Sequence, residues 1–464
     1  NGLCFPFFRL IEPMRYSVVV LLTVSAGLVT SAAAEPVSFR KQVAQILLDN
    51  CLACHGPKKA EGGYRIDAYE RLIKAGDSDE VAVTPSKLDA SELFRRIVTE
   101  DESERMPLEG DPLPAEQIAL IKQWIEEGAK FDGDDPKAAL ATIVPPPVHP
   151  SPPEVYANSL PITALTFSPD GSQLAVSGYH ELTVWNPADG KLIKRVHNIG
   201  QRTHAITYSP DGKLLAVGGG TPGRLGETRI FNAENGELVR VLGSTSDVVL
   251  DVAFSPQGDR IAAGSADGVI RVFEVATGKP VQTITSHSDW VMAIAWSVDG
   301  ARIASGSRDK TAKVFDSKTG ELQVTFSGHG QPVKGVAFHP EGKEVFSAGT
   351  DKKVQRWKIE DGKKTADVGS FGEEVYKLTA GGGFLFTGSA DKSARQYDRK
   401  SHKEVRKYEG HKDWVLSTAY HDGSKRLATG SFDGEVRVWN TEDGKIVVTL
   451  LAAPGLKLAA AEGS

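Results

Sequence analysis

Apolar residues recur at two different periods along this chain, and the change of period divides it. Phe39, Val43, Ile46 and Leu47 follow helical spacing. Pro114 opens a second helical stretch in which Ile118, Ile121, Trp124 and Ile125 share one face before Gly128 stops it. From about residue 158 the period is two. Runs such as Val291 to Trp296 and Ala312 to Phe315 alternate apolar and polar positions between Asp-Gly and similar turns, as half-buried strands do. The pattern predicts a small all-α domain followed by a larger all-β region.

The strand region is repetitive. Phe167-Ser168-Pro169-Asp170-Gly171 returns in related form at Tyr208, Phe254, Trp296, Phe338 and Tyr420, with a degenerate copy near Ala380, so that anchors 167, 208, 254, 296, 338, 380 and 420 lie 40 to 46 residues apart. That period resembles the WD40 repeat, and seven such units across residues 158–452 predict a seven-bladed β-propeller. On this resemblance His411, Thr429, Asp433 and Trp439 correspond to the His, Ser/Thr, Asp and Trp of the WD40 structural tetrad, with the last unit the best match. His329, Ser347, Asp351 and Trp357 repeat the set, whereas the unit holding His287, Ser305 and Asp309 ends on Phe315, which cannot donate the closing hydrogen bond. Recurrence at repeat-fixed positions assigns these polar groups to tying strands together rather than to catalysis. No strand that interlocks first and last units is evident. Glu154-Val155-Tyr156 and the tail after Pro454 are both candidates to cover the exposed edge.

The chemistry sits in the helical part. Cys51-Leu52-Ala53-Cys54-His55 has the spacing of a c-type haem attachment site, in which two thiols on one helical turn form thioethers and the adjacent imidazole reaches the iron. The chain has three cysteines, and Cys4 falls in a leader, which leaves this pair alone. A disulfide, a redox dithiol or half a zinc site are the competing uses, but between residues 35 and 145 His55 is the only histidine, so a closed zinc site would need distant ligands. Met14, Met106 and Met292 are the methionines. Met14 is the expected start and Met292 lies in a repeat, so Met106, in an acidic loop ahead of Pro107, is the expected sixth ligand.

Around these residues the segments Phe39-Arg40-Lys41-Gln42-Val43, Gly62-Gly63-Tyr64-Arg65-Ile66-Asp67, Arg105-Met106-Pro107 and Gln123-Trp124-Ile125-Glu126-Glu127-Gly128 resemble the planctomycete-type cytochrome c domain. The resemblance runs from about Val37 to Phe131. It implies a class I-like cytochrome c fold with His55 and Met106 axial to one covalent haem c. Met14-Arg15, the apolar run from Tyr16 to Val29 and the small residues Ser31 to Ala34 have the build of a secretory signal cleaved before Glu35, so a periplasmic or otherwise exported protein without a membrane-spanning segment in its mature form is expected. Residues 1–13 look like upstream translation.

The expected domains are a leader and signal at 1–34, the cytochrome domain at 35–131, an acidic and proline-rich linker at 132–157, the propeller at 158–454 and a tail at 455–464. Six prolines between Pro145 and Pro153 predict a semi-rigid polyproline spacer, with His149 a solvated residue in it. Trp290 and Trp414 occupy inter-blade loops and are candidate partner-binding anchors. A formal net charge of −6, with 25% charged residues and no basic stripe, argues against a nucleic-acid partner. The function expected is single-electron transfer with redox partner proteins, the propeller serving as docking scaffold. A redox enzyme with its substrate site in the propeller is the alternative, and a haem-based sensor a weaker one.

Overall fold

A computed structural model describes residues 35–456 apart from 57, 58, 109, 147 and 246; the leader and signal segment and the tail beyond residue 456 lie outside the described residues. The chain forms two compact units, one ending at Pro146 and the other beginning at Pro147. No described helix is long and apolar enough to cross a membrane.

The first unit is helical, and its elements follow the expected periodicity. A π-helical turn, Phe39–Val43, leads into α1 (Ala44–Asn50), and α2 (Tyr69–Leu72), α3 (Glu92–Val98), α4 (Ala115–Glu126) and α5 (Leu140–Ile143) complete it. Phe39, Val43, Ile46 and Leu47 are buried with Ile121, Trp124 and Ile125 of α4 in one core, so the two faces predicted from spacing meet each other. The Phe39 ring lies 5.2 Å from both Tyr69 and Trp124. Gly128, at φ +98°, ends α4 in a conformation that favours glycine.

The second unit is a propeller of seven four-stranded antiparallel sheets, each built from four consecutive strands. The blades span residues 165–196, 202–245, 249–284, 291–326, 333–370, 375–408 and 415–451. Each repeat anchor falls at or beside the end of its blade's first strand, as with Phe167, Tyr208, Phe254, Trp296 and Phe338. The degenerate copy at Ala380 turns instead through Gly382 and Gly383, both at positive φ. Packing is layered as a propeller requires: second strands such as Arg302–Ser307 are almost wholly buried, while fourth strands such as Leu322–Phe326 stand at the exposed rim.

Glu154-Val155-Tyr156 forms no strand, and all but Gly455 and Leu456 of the tail after Pro454 lies outside the described residues. The two segments meet through Tyr156 N–H and Pro454 O at 3.2 Å, and the last blade is completed by its own strand Ile446–Leu451. The ring closes by stacking. Ile162 donates its N–H to Ser431 O and accepts from the Ser417 hydroxyl at 2.7 Å, His421 Nε2 lies 3.0 Å from Pro169 O, and Ile162, Leu165 and Phe167 share a core with Ala419, Val436 and Leu450.

Two expectations change. The segment 132–157 does not run free. Asp132 accepts from the Ser38 hydroxyl and from Arg40 N–H, Leu140 is buried in the helical core, and its N–H bonds Asp67 O. Farther on, His149 is no solvated linker residue: its side chain is 9% exposed and its Nε2 lies 2.6 Å from Glu227 Oε2, while Tyr156 donates to buried Glu181 at 2.6 Å and Arg195 donates to the carbonyls of Pro153 and Glu154. Proline density fixes local stiffness, and buried carboxylates of the first two blades determine where the stiff segment lies.

The tetrads also differ from expectation. In blade five His329 bonds Asp351 and Ser347 at 2.9 and 2.7 Å, and Trp357 Nε1 donates to Ser347 Oγ. Blade four makes the first two contacts through His287. In blade seven His411 and Trp439 both reach Thr429, but Asp433 bonds Glu435 N–H instead, and His411 Nδ1 is left without a hydrogen bond. Arg437 holds the nearby Glu435 carboxylate, which competes for the position that Asp351 fills in blade five.

Candidate functional site

Cys51 ends α1, where its N–H still bonds Leu47 O. Cys54 N–H and His55 N–H then both turn back to Cys51 O, at 3.3 and 3.0 Å, so the motif adopts the helical turn its spacing requires. The chain after His55 folds over it: Glu61 N–H bonds Cys54 O and Ile66 N–H bonds His55 O. Tyr64 presents its ring to the His55 imidazole edge-to-face at 5.4 Å and anchors its hydroxyl on Leu72 O.

Met106 lines the same cavity. Its N–H donates to Arg96 O at 2.9 Å, which ties the acidic loop to the last turn of α3, and a cis peptide bond follows to Pro107. Cys51, Cys54, His55 and Met106 all line one cavity of about 320 Å³, together with the buried apolar side chains of Ile66, Ile97 and Leu113. The sequence-predicted ligands are therefore brought together by the fold.

The donor set fits a covalent c-type haem. Both thiols are free, and His55 Nδ1 is buried with no hydrogen-bond partner. Two glycines, Gly62 and Gly76, form part of the wall; a Cβ on Gly76 would stand 2.6 Å from Gly62 O, so the two backbones approach too closely for a side chain there. Burial, with Cys54 beside it, pushes the Cys51 thiol up to about 11, and burial raises the Tyr64 hydroxyl further still. On the rim Arg95 and Arg96 hydrogen-bond Glu92 and hold its carboxyl down at about 2. Tyr64 belongs to the Gly62-Gly63-Tyr64-Arg65-Ile66-Asp67 motif, but Arg96 has no local sequence signal and is placed only by α3.

The two candidate anchors of the propeller are not brought together. Trp290 opens blade four and Trp414 blade seven, three blades apart, and they are 36% and 43% exposed. Arg308 lies over the Trp290 ring at 4.6 Å. Trp414 stands 5.6 Å from the Phe432 ring, itself 45% exposed, and 5.9 Å from Tyr376, over which Lys334 is placed at 4.3 Å. Phe432, Tyr376 and Lys334 escaped the sequence reading because they come from three different repeats.

Comparison with known proteins agrees with both halves. A family model described as Planctomycete cytochrome C matches residues 51–110. The model described as WD domain, G-beta repeat matches 153–186, 236–274, 278–316, 320–358 and 402–440. The stretches without a match hold most of blade two, whose hairpin strands Leu214–Thr221 and Leu225–Asn232 are each eight residues long, and most of blade six, which lacks the Ser-Pro-Asp-Gly turn. Among curated relatives, Nuclear distribution protein nudF 1 of Talaromyces marneffei is 38% identical over 73 residues, 16% of each chain. THO complex subunit 6 of Arabidopsis thaliana is 32% identical over 65 residues, 14% of this chain and 18% of its own. The chain thus spans less than a fifth of the length of these relatives. It matches the Planctomycete cytochrome C model over residues 51–110 and carries a seven-bladed WD40-repeat propeller after it.

Proposed function

We propose that this protein is an exported c-type cytochrome that exchanges single electrons with a redox partner, its propeller serving as a docking scaffold for partner proteins. The observation that carries the reading is the convergence of Cys51, Cys54, His55 and Met106 on one cavity whose wall includes core residues of the helical unit. Cys51 and Cys54 would hold the haem through thioethers, and His55 and Met106 would ligate its iron. Haem c, when bound, supplies a ferric–ferrous couple whose potential a Met ligand raises relative to a second His.

The chain's own residues set the conditions for that couple. Tyr64 and the turn around Cys51 orient the imidazole, Arg96 O holds the Met106 backbone, and Ile66, Ile97 and Leu113 keep water from the walls. A signal of the kind read at residues 14–34 is in keeping with haem attachment outside the cytoplasm. On the propeller, exposed Trp414 and Phe432 give an aromatic pair of the type that anchors protein partners.

The test is expression with haem-attachment machinery followed by an alkaline pyridine spectrum. One haem per chain, retained after denaturation and lost from C51A/C54A, is expected. M106A keeps the covalent haem but gains rapid carbon monoxide binding in the reduced state. A protein without covalent haem overturns the reading. For the propeller, pull-down from the native extract with wild type and W290A/W414A is decisive: equal recovery of partners dismisses the two tryptophans as anchors.

A further inference from the structure

The acidic excess of this chain is not spread evenly. Residues 35–146 carry 22 Asp and Glu against 14 Lys and Arg, whereas residues 147–464 are nearly balanced, with 37 against 38. Within the helical unit the excess gathers at the cavity. The stretches 59–61, 76–80 and 92–106, which contribute Glu61, Glu80, Glu92 and Met106 to its wall, hold nine carboxylates and four cations. Those four cations already have acidic partners: Lys59 on Glu61 at 2.6 Å, Arg95 and Arg96 on Glu92 at 2.7 and 2.6 Å, and Arg105 towards Glu102 at 3.8 Å. Asp77, Asp79 and Glu80 are all exposed, and no Lys or Arg occurs between residues 75 and 86. Beside these charges Leu108, another lining residue, keeps 49% of its surface exposed and follows Met106-Pro107 directly.

We propose that the cavity mouth around Leu108 is the electron-exchange surface and that it receives a basic protein, one presenting lysines or arginines around its own redox centre. The inference rests on the proposed cytochrome function and adds the chemistry of the partner. An apolar contact ringed by unlike charges is suited to a short-lived encounter. Leu108 supplies the part of the interface that loses water, and the surrounding carboxylates attract a cationic partner and repel an acidic one. Attraction of that kind acts on the association rate and fades as salt shortens the Debye length from about 30 Å at 0.01 M to about 8 Å at 0.15 M.

The experiment uses the haem-loaded full chain, reduced, in stopped-flow electron exchange with a basic cytochrome c and with the same cytochrome after succinylation of its lysines. At 10 mM ionic strength the basic form is expected to react roughly ten-fold faster or more, the two rates converging above about 0.3 M salt. D77K/D79K, at two exposed carboxylates that do not line the cavity, is expected to keep the absorption spectrum and lose most of the preference. Equal rates at low salt, a faster succinylated form, or an unchanged preference in D77K/D79K overturns the inference. A chain that takes up no covalent haem overturns the proposed function instead, so the two failures are distinguishable.

Discussion

His149 Nε2 lies 2.6 Å from Glu227 Oε2, and that one contact pins the segment ahead of the propeller to its second blade. Glu227 is 3% exposed and is shared with Arg229, which donates to both carboxylate oxygens and also to Asn198. The His149 N–H completes the group on Asn198 Oδ1. Burial acts to raise the Glu227 carboxyl, but hydrogen bonds from His149 and Arg229 outweigh it and hold the group below its ordinary value. A lowered folded value means stability that is complete above the unfolded pKa, about 4.3, and is lost as pH falls through the folded one. His149→Ala should cost about 1–3 kcal/mol in the propeller's unfolding transition. Limited proteolysis should show faster cleavage between residues 147 and 156; unchanged cleavage would mean that Tyr156 and Arg195 alone hold the segment.

The ring seam is the second place where a single residue matters. Ile162 is fully buried, precedes the first blade and bonds the last blade through both its N–H and its carbonyl. Because no strand among the described residues is exchanged between first and last blades, this packing and its hydrogen bonds replace a ladder. Ile162→Ala keeps the backbone bonds but opens a void at the seam, with an expected loss of about 2–5 kcal/mol. Hydrogen exchange should rise first in Leu165–Phe167 and Val415–His421, ahead of the middle blades. Uniform loosening of all seven blades would show that the seam is no weaker than the other interfaces.

What was legible in the sequence, and what was not, follows from how local each determinant is. The Cys51-to-His55 spacing, the helical faces of Phe39 and Trp124 and the repeat anchors are carried by residues close together in the chain, and each reappears in the structure as expected. Ring closure, the resting place of His149 and the composition of the aromatic rim depend on residues as far apart as Ile162 and Ser417, His149 and Glu227, or Tyr376 and Trp414. No period or motif encodes those pairings. Blade seven shows the intermediate case, since its His, Thr, Asp and Trp stand at the right spacing, but the neighbouring Arg437–Glu435 pair redirects the network.

That redirection has a pH signature. His411 is 5% exposed; burial, aided by the positive charge of Arg437, pushes its imidazole down to about 4. Glu435 Oε1 stands 3.3 Å from Nδ1 without a hydrogen bond to it, and the charge of Asp433 acts to raise the imidazole, but burial prevails. The unfolded chain takes up a proton near pH 6.5 and the folded one only near 4. Stability from this group is therefore complete above pH 6.5 and falls through that window by an amount on the order of 3 kcal/mol. His411→Gln removes the titration, and its unfolding free energy should depend less steeply on pH between 6.5 and 4 than that of wild type. Parallel pH profiles would show that His411 is protonated in the fold.

In the haem-free chain the Cys51 thiol should be slow to react, in a way chemistry can read. Cys51 has its ionisation pushed up to about 11, first by burial and then by Cys54, so at pH 8 its thiolate fraction falls roughly two orders of magnitude below that of a free thiol with pKa near 8.5. Alkylation needs the thiolate, and the haem-free chain treated with iodoacetamide at pH 8 should leave Cys51 largely unmodified over a period that fully labels a small thiol. Mass spectrometry of the peptide spanning residues 42–58 resolves the two sites. Raising the pH towards 11, or substituting Ile66 or Leu113 by a polar residue to wet the cavity, should bring Cys51 into reaction. Rapid labelling of Cys51 at pH 8 would show that the thiol is not shielded, and that the turn from Cys51 to His55 is open in the haem-free chain.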